Sequence, residues 1–245
     1  MRASARTDVG RLRDTNEDCV VLDLELGLFM VADGMGGRNG GEVASRLAVD
    51  LTVSRLRESL PALGACPEPI PMAGLLSEAL TSAGRAIHAR AASSADLGGM
   101  GTTAVLAVAR GSNLHVAHVG DSRAYLLRAG RLMPLTRDHS LVAEMVEKGE
   151  ITSNEARTHR LRSILTQTLG GESAPQVDVA VVPWNKEDCL LLCSDGLSGE
   201  LEDHRIEAIL ERFRTDLKRA SQELIRAANV SGGKDNVSVI LACPE

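Results

Sequence analysis

Four apolar runs of β type in this chain lead into or out of an aspartate, so the fold must hold several carboxylates at the rim of a sheet. Leu28-Phe29-Met30-Val31-Ala32 runs into Asp33, and Gly34, Gly36 and Gly37 then allow a close-fitting turn. Leu190-Leu191-Leu192-Cys193-Ser194 likewise precedes Asp195 and Gly196. His115 to Val119 precedes Gly120-Asp121, whereas Asp235-Asn236 introduces Val237 to Ala242. Four carboxylates that converge without a nearby thiolate or paired imidazole describe an all-oxygen cage for hard divalent cations.

Between these points the apolar periodicity alternates between the two regular structures. Residues 41–60 place Val43, Leu47, Leu51 and Leu56 near one helical face, and residues 72–92 do the same with Leu76, Leu80, Ala83 and Ile87. The prolines of residues 66–71 read as a connector that cannot continue a helix. Residues 101–110, 113–119 and 123–128 read as strands of an antiparallel meander, with turns at 109–112 and 128–131. From 140 to 165 the pattern is helical and polar, which marks a flap at about 144–162. Strands near 177–182 and 189–193 follow, then helices over 203–213 and 216–229, each opened by an aspartate suited to N-capping. Strands followed by helices, twice over, with a closing strand favour an α+β sandwich over a doubly wound sheet. No linker or internal repeat interrupts residues 1–245, which read as one domain.

Composition narrows the function. A chain of 245 residues can bury roughly 70 to 75% of its unfolded surface without disulfides. Its five cysteines (Cys19, Cys66, Cys189, Cys193, Cys243) are odd in number and lack a Cys-x-x-Cys pair, so they read as reduced thiols of an intracellular protein. Cys189 and Cys193 share a strand face but stand about 13 Å apart at strand rise, too far for one metal. His115 and His118 point to opposite faces of their strand, which argues against a shared metal there too. The first residues lack the apolar core of a signal peptide and no apolar stretch is long enough to span a bilayer, so a cytoplasmic location is expected and a membrane association is not. A net charge of −6 argues against nonspecific nucleic-acid binding.

The motifs Asp33-Gly34-Met35-Gly36-Gly37, Gly120-Asp121-Ser122-Arg123, Ser194-Asp195-Gly196-Leu197 and Gly233-Lys234-Asp235-Asn236 resemble, in order and approximate spacing, those of the metal-dependent protein phosphatases, PPM or type 2C. The likeness extends to Thr7-Asp8-Val9-Gly10 through Arg13, to Asn16-Glu17-Asp18 and to Gly99-Met100-Gly101-Thr102-Thr103, nearly the whole chain. It implies a four-layer αββα sandwich of two mainly antiparallel sheets flanked by helices. It also implies a serine/threonine protein phosphatase of the bacterial subgroup, in which water bridging two Mn²⁺ or Mg²⁺ ions attacks phosphorus. Asp33 would then be shared by both core metals, with the Gly34 carbonyl completing one site and Asp195 with Asp235 the other. Asp121 would hold a weaker third cation with Asp195. Glu17 and Asp18 would orient metal-bound water, and Arg13 would grip the substrate phosphate, for which a planar guanidinium is suited. The partners implied are phosphorylated proteins, a serine/threonine kinase among them, met by a monomer.

Several positions depart from the family pattern. Met35 stands where many eukaryotic members carry a histidine able to protonate the leaving group. Arg38, Arg160 and Ser163 depart from the usual residues after the first motif and at the flap end, which bears on substrate choice. His159 is an alternative proton source to metal-bound water. Two other readings stay open on sequence alone, a noncatalytic signalling module with the same fold and a small-molecule phosphatase.

Overall fold

The computed structural model describes residues 1–37, 40–64, 68–172 and 174–244. Eleven strands and seven helices follow in chain order among them. They are β1 (Arg2–Asp8), β2 (Asp18–Asp23), β3 (Leu28–Met35), α1 (Gly40–Leu63), α2 (Pro69–Ala92), β4 (Gly101–Thr102), β5 (Ala104–Arg110), β6 (Asn113–Val119), β7 (Arg123–Arg128) and β8 (Arg131–Pro134). Then come α3 (Leu141–Glu147), α4 (Ser153–Thr158), β9 (Asp178–Pro183), β10 (Cys189–Cys193), α5 (Asp195–Ser198), α6 (Asp203–Arg212), α7 (Leu217–Ser231) and β11 (Val237–Cys243). Two antiparallel sheets result, one ordered β1-β11-β10-β7-β8 and the other β2-β3-β5-β6-β9, with β4 added to β3.

The sandwich follows from side-chain alternation. Phe29 and Val31 point into the core between the sheets, while Leu28, Met30 and Ala32 point into the core beneath α1 and α2. In the second sheet Leu190, Leu192, Ile240 and Ala242 face the first sheet, and Leu191, Val239 and Leu241 face α6 and α7. Strands covered on both faces favour apolar residues at nearly every position, which is why β3, β5, β10 and β11 read as near-continuous apolar runs. The layers are therefore helices, sheet, sheet, helices, as expected.

The meander does not form. β5 and β6 pair, but β7 lies in the opposite sheet, against β10 and β8. Gly120, at φ +99, lets the chain turn between the sheets, and Asp121 is left at the edge where they meet. The strand expected over 101–110 is also broken, because Thr103 gives its backbone N–H to the Asp33 carbonyl (2.9 Å) between β4 and β5.

The helix ends differ from expectation as well. Pro61 lies inside the last turn of α1, and Pro69 and Pro71 lie in the first turn of α2, where a missing N–H costs no hydrogen bond. The connector is thus shorter than residues 66–71, and Cys66 and Pro67 fall outside the described residues. Asp216 caps α7 by accepting from the Arg219 N–H (3.0 Å). Asp203 does not cap α6; it sits within the first turn and accepts from the Tyr125 hydroxyl. β1 was not foreseen, since Arg2–Asp8 is polar and finds its place only through its register with β11.

Candidate metal centre

The acidic groups meet where the two sheets come together at one end. Asp33 lies near the end of β3, directly opposite Asp18 of β2. Asp195 follows β10 and opens the short helix α5, while Asp235 precedes β11, the neighbour of β10. Asp121 arrives from the Gly120 crossover. Burial pushes the Asp33 carboxyl well above the usual carboxylate range, and repulsion from Asp18, Asp195, Asp121 and Asp235 pushes it further. The other four groups therefore all act on Asp33.

The others respond to the same crowding. Burial, then repulsion from Asp195 and Asp138, raises Asp121 to about 8. Asp18 is raised to about 7 by burial, opposed by hydrogen bonds from Ser238 and Ser194. Asp195 is raised by burial and by Asp235, while a hydrogen bond shared with Asp33 and the charge of Arg13 work against the rise. One oxygen of Asp18 (Oδ1) and one of Asp195 (Oδ1) are buried without a hydrogen-bond partner. Crowded, desolvated carboxylates with orphaned oxygens suit hard divalent cations, which would replace both the missing partners and the excess protons. The donor set thus fits the ions expected from sequence.

Arg13 reaches the cluster from the N-terminal loop and gives an Nη2 hydrogen bond of 2.7 Å to Asp235 Oδ2. The attraction of Asp235 is the main reason its pKa is raised, with Glu17 and Asp33 adding to it. The guanidinium side chain remains half exposed. Glu17 donates its N–H to Asn236 Oδ1 (2.7 Å), and burial raises its carboxyl. The reason for glycine at position 34 is packing. A Cβ there would lie 2.0 Å from the Gly41 carbonyl oxygen and 2.7 Å from that of Glu17.

Sequence reasoning gave no role to several residues that assemble this centre. The Asn236 side-chain amide donates to the carbonyls of Val9 (2.9 Å) and Thr15 (2.9 Å), so it ties the loop carrying Arg13 and Glu17 to the start of β11. The Ser194 hydroxyl donates to Asp18 Oδ2 (2.8 Å) and accepts from the Ser238 N–H (3.0 Å), joining the sheets. Thr103 and Ser122 share a hydrogen bond of 2.7 Å that fixes the Gly120 crossover beside Asp33. All four stand within the motifs quoted above, but the motifs do not say which groups they join.

Other polar residues are accounted for by pairing. Arg123 forms a two-pronged ion pair with Asp138 (both 2.7 Å) and so meets a carboxylate. His118 hydrogen-bonds the Arg137 carbonyl (2.7 Å) and stacks on His139, whose Nδ1 accepts from the Gly120 N–H and whose Nε2 faces Asp178 at 3.4 Å. His159 ends α4 and accepts from the Leu161 N–H (3.2 Å). Arg38 lies outside the described residues. Beside Asp121 and Asp195 a cavity of about 580 Å³ opens beneath α3 and α4, lined by Tyr125, Val142, Val146, Arg157 and Arg162 among others.

Comparison with known proteins gives a consistent result. The family model described as protein phosphatase 2C matches residues 13–237. The serine/threonine phosphatase stp of Listeria monocytogenes is 41% identical over 250 residues, covering 98% of this chain and 95% of its own. The crystal structure of the serine/threonine phosphatase Stp1 from Staphylococcus aureus superposes with a TM-score of 0.90 at 33% identity, covering 99% of this chain and 94% of that one. The catalytic domain of the serine/threonine protein phosphatase PstP in complex with two manganese ions matches with a TM-score of 0.84 at 35% identity, over 99% of this chain and 97% of that one.

Proposed function

This chain belongs to the protein phosphatase 2C family, and we propose that its activity resides in the carboxylates gathered around Asp33. It is a metal-dependent serine/threonine protein phosphatase whose substrates are phosphorylated proteins. The observation that carries the assignment to this site is the crowding of Asp33 by Asp18, Asp121, Asp195 and Asp235, with buried oxygens left unpartnered.

Asp33, with the Gly34 carbonyl, Asp195 and Asp235, would hold the two core cations, and Asp121 would hold a weaker third with Asp195. When bound, divalent cations supply charge neutralisation of the phosphoryl group and activate water for attack on phosphorus. Asp18, held by Ser194, and Glu17, held by Asn236, would orient water through their oxygens. Arg13 keeps one guanidinium nitrogen on Asp235 and offers the others to a phosphate placed beside that carboxylate. Met35 carries no titratable proton, so the leaving alkoxide takes its proton from water.

In the finer reading, the chain is one phosphatase domain, monomeric and cytoplasmic, that reverses the work of a serine/threonine kinase. Residues 144–162 form a flap over the centre. In support, no helix among the described residues is long and apolar enough to cross a membrane. The flap's base is closed by the Leu141 N–H on the Ile164 carbonyl (2.9 Å) and the Thr166 N–H on that of His139 (2.9 Å). The test is turnover of phosphoserine, phosphothreonine and phosphotyrosine peptides by chelated enzyme resupplied with Mn²⁺ or Mg²⁺. Activity on the first two that returns with metal is expected. Full turnover after rigorous metal removal, or a phosphorylated side chain trapped by rapid quench, would overturn the mechanism.

A further inference from the structure

Two thiols meet across the second sheet, at the ends of β10 and β11 remote from the carboxylates. Those strands pair with Leu190 opposite Ala242 and Cys193 opposite Val239. One further step in the same register sets Cys189, the first residue of β10, opposite Cys243, the last of β11. Residues directly opposed in an antiparallel ladder have Cα atoms about 4.5 or 5.5 Å apart. Both spacings fall within the roughly 4.4–6.8 Å that a disulfide accepts. Both side chains point into the layer beneath α6 and α7, and both cysteines are free.

Their surroundings favour reaction at one sulfur. Each thiol acts on the other, which raises Cys189 well above the usual thiol range and lowers Cys243, while Cys189 Sγ donates to the Leu190 carbonyl (3.8 Å). Arg2 and Arg214 add positive charge that favours thiolate at both positions. These guanidiniums are anchored at the strand ends, Arg2 on the Thr215 carbonyl (3.0 Å) and Arg214 on that of Glu187. A role as small core residues explains the burial of these cysteines. It does not explain opposed register together with two arginines.

We propose that Cys189 and Cys243 form a dithiol oxidation site that takes hydrogen peroxide and closes to an intrachain disulfide. The Cys243 thiolate attacks one peroxide oxygen; an S–O bond forms, the O–O bond breaks, and hydroxide leaves and is protonated to water. Cys189 then attacks the Cys243 sulfenic sulfur, the S–O bond breaks, and a second water carries off the thiol proton. Two thiols are thus oxidised by two electrons while peroxide is reduced to two waters. The new bond would tie β10 to β11 at the ends opposite Asp195 and Asp235, restricting the unfolded chain while leaving the carboxylates in place. This inference does not depend on the proposed function of the metal centre.

The full chain, loaded with Mn²⁺, is treated with hydrogen peroxide, alkylated, digested without reductant and mapped by tandem mass spectrometry that separates Cys189 from Cys193. A Cys189–Cys243 cross-link with loss of two hydrogens is expected. The melting temperature should rise by roughly 5 °C or more and return with dithiothreitol. Cys189→Ala and Cys243→Ala should each abolish the link and the rise, with aryl-phosphate turnover within about twofold of the parent. Cys189→Ser and Cys243→Ser provide the same comparison if a cavity prevents folding of the alanine forms. A link through Cys19 or Cys193, oxidation of Cys243 to sulfinic acid without a link, a link between chains, or a shift that survives the substitutions would overturn the proposal.

Discussion

Arg13 is bound to Asp235 by a single charged hydrogen bond, and both partners are well exposed. Such a pair contributes on the order of 0 to 1 kcal/mol to stability, so what Arg13 does is to be sought in binding. Arg13→Ala should raise KM more than it lowers kcat if it grips phosphate mainly in the ground state, with little change in melting temperature. Steady-state kinetics on phosphopeptides decides the point; unchanged kcat and KM would reduce Arg13 to a surface ion pair. Asp33 is the opposite case, half-buried, desolvated and repelled from several sides. Asp33→Asn should cost at least about 100-fold in activity. It should also raise the melting temperature of the chelated protein, because it removes the most crowded charge. Asp121→Asn should keep the two core ions while turnover falls, and metal stoichiometry measured beside kcat would expose loss of both core ions as a contradiction. The aspartates were legible in the sequence because each sits beside a strand-like run. The contacts of Asn236, Ser194 and Thr103 were not, since the loops and the second sheet that they join are adjacent only in space.

At the scale of elements, legibility followed how local the controlling interaction is. Helices α6 and α7 and strands β6, β10 and β11 stand close to their expected bounds because their apolar patterns are self-contained. β1 has no such pattern and exists through seven paired residues on β11. The choice of β10 rather than β6 as the partner of β7 likewise depends on Gly120 and on which sheet has an open edge, neither of which a period of two reveals. Residues 144–162 lie between these extremes. Ser140 caps α3, and Thr152 with Glu155 forms a capping box at α4, so their helices are locally encoded. Arg157 and Arg162 line the cavity beside Asp121, where a phosphopeptide would pass but a small aryl phosphate need not. Exchanging residues 144–162 for the segment of a bacterial relative should therefore alter kcat/KM among phosphopeptides while aryl-phosphate turnover stays within roughly tenfold, about 1.4 kcal/mol in barrier. Equal losses on both substrates, with an unchanged circular dichroism spectrum, would mean that the segment helps build the catalytic centre.

For the whole molecule, the crowded carboxylates tie stability to pH and to metal. Asp18 and Asp121 titrate near 7 and 8 in the folded chain, against an ordinary value of 3.8. Between about pH 4 and pH 8 the folded chain therefore holds more protons than the unfolded one, so the stability of the chelated protein falls as pH rises through that window. Below it both states are protonated and the penalty disappears. Asp23 and Asp188 are shifted downward, so their contribution is complete above about pH 4 and does not mask the effect. His115 and His118 are kept neutral by burial and add stability as pH rises through about 6.5, in the opposite sense. Neither histidine belongs to the carboxylate cluster, but His118 lies with His139 and Asp178 within reach of a single ion, so the difference between melting curves taken with chelator and with Mn²⁺ isolates the carboxylates when it is measured in a His139→Gln variant. From pH 5.5 to 8.5 that difference should widen by roughly 5 °C or more, because cations displace protons more easily as the carboxyls ionise and bind the folded chain alone. A difference that stays constant or narrows over the same range would show that the ions are held by groups other than these aspartates.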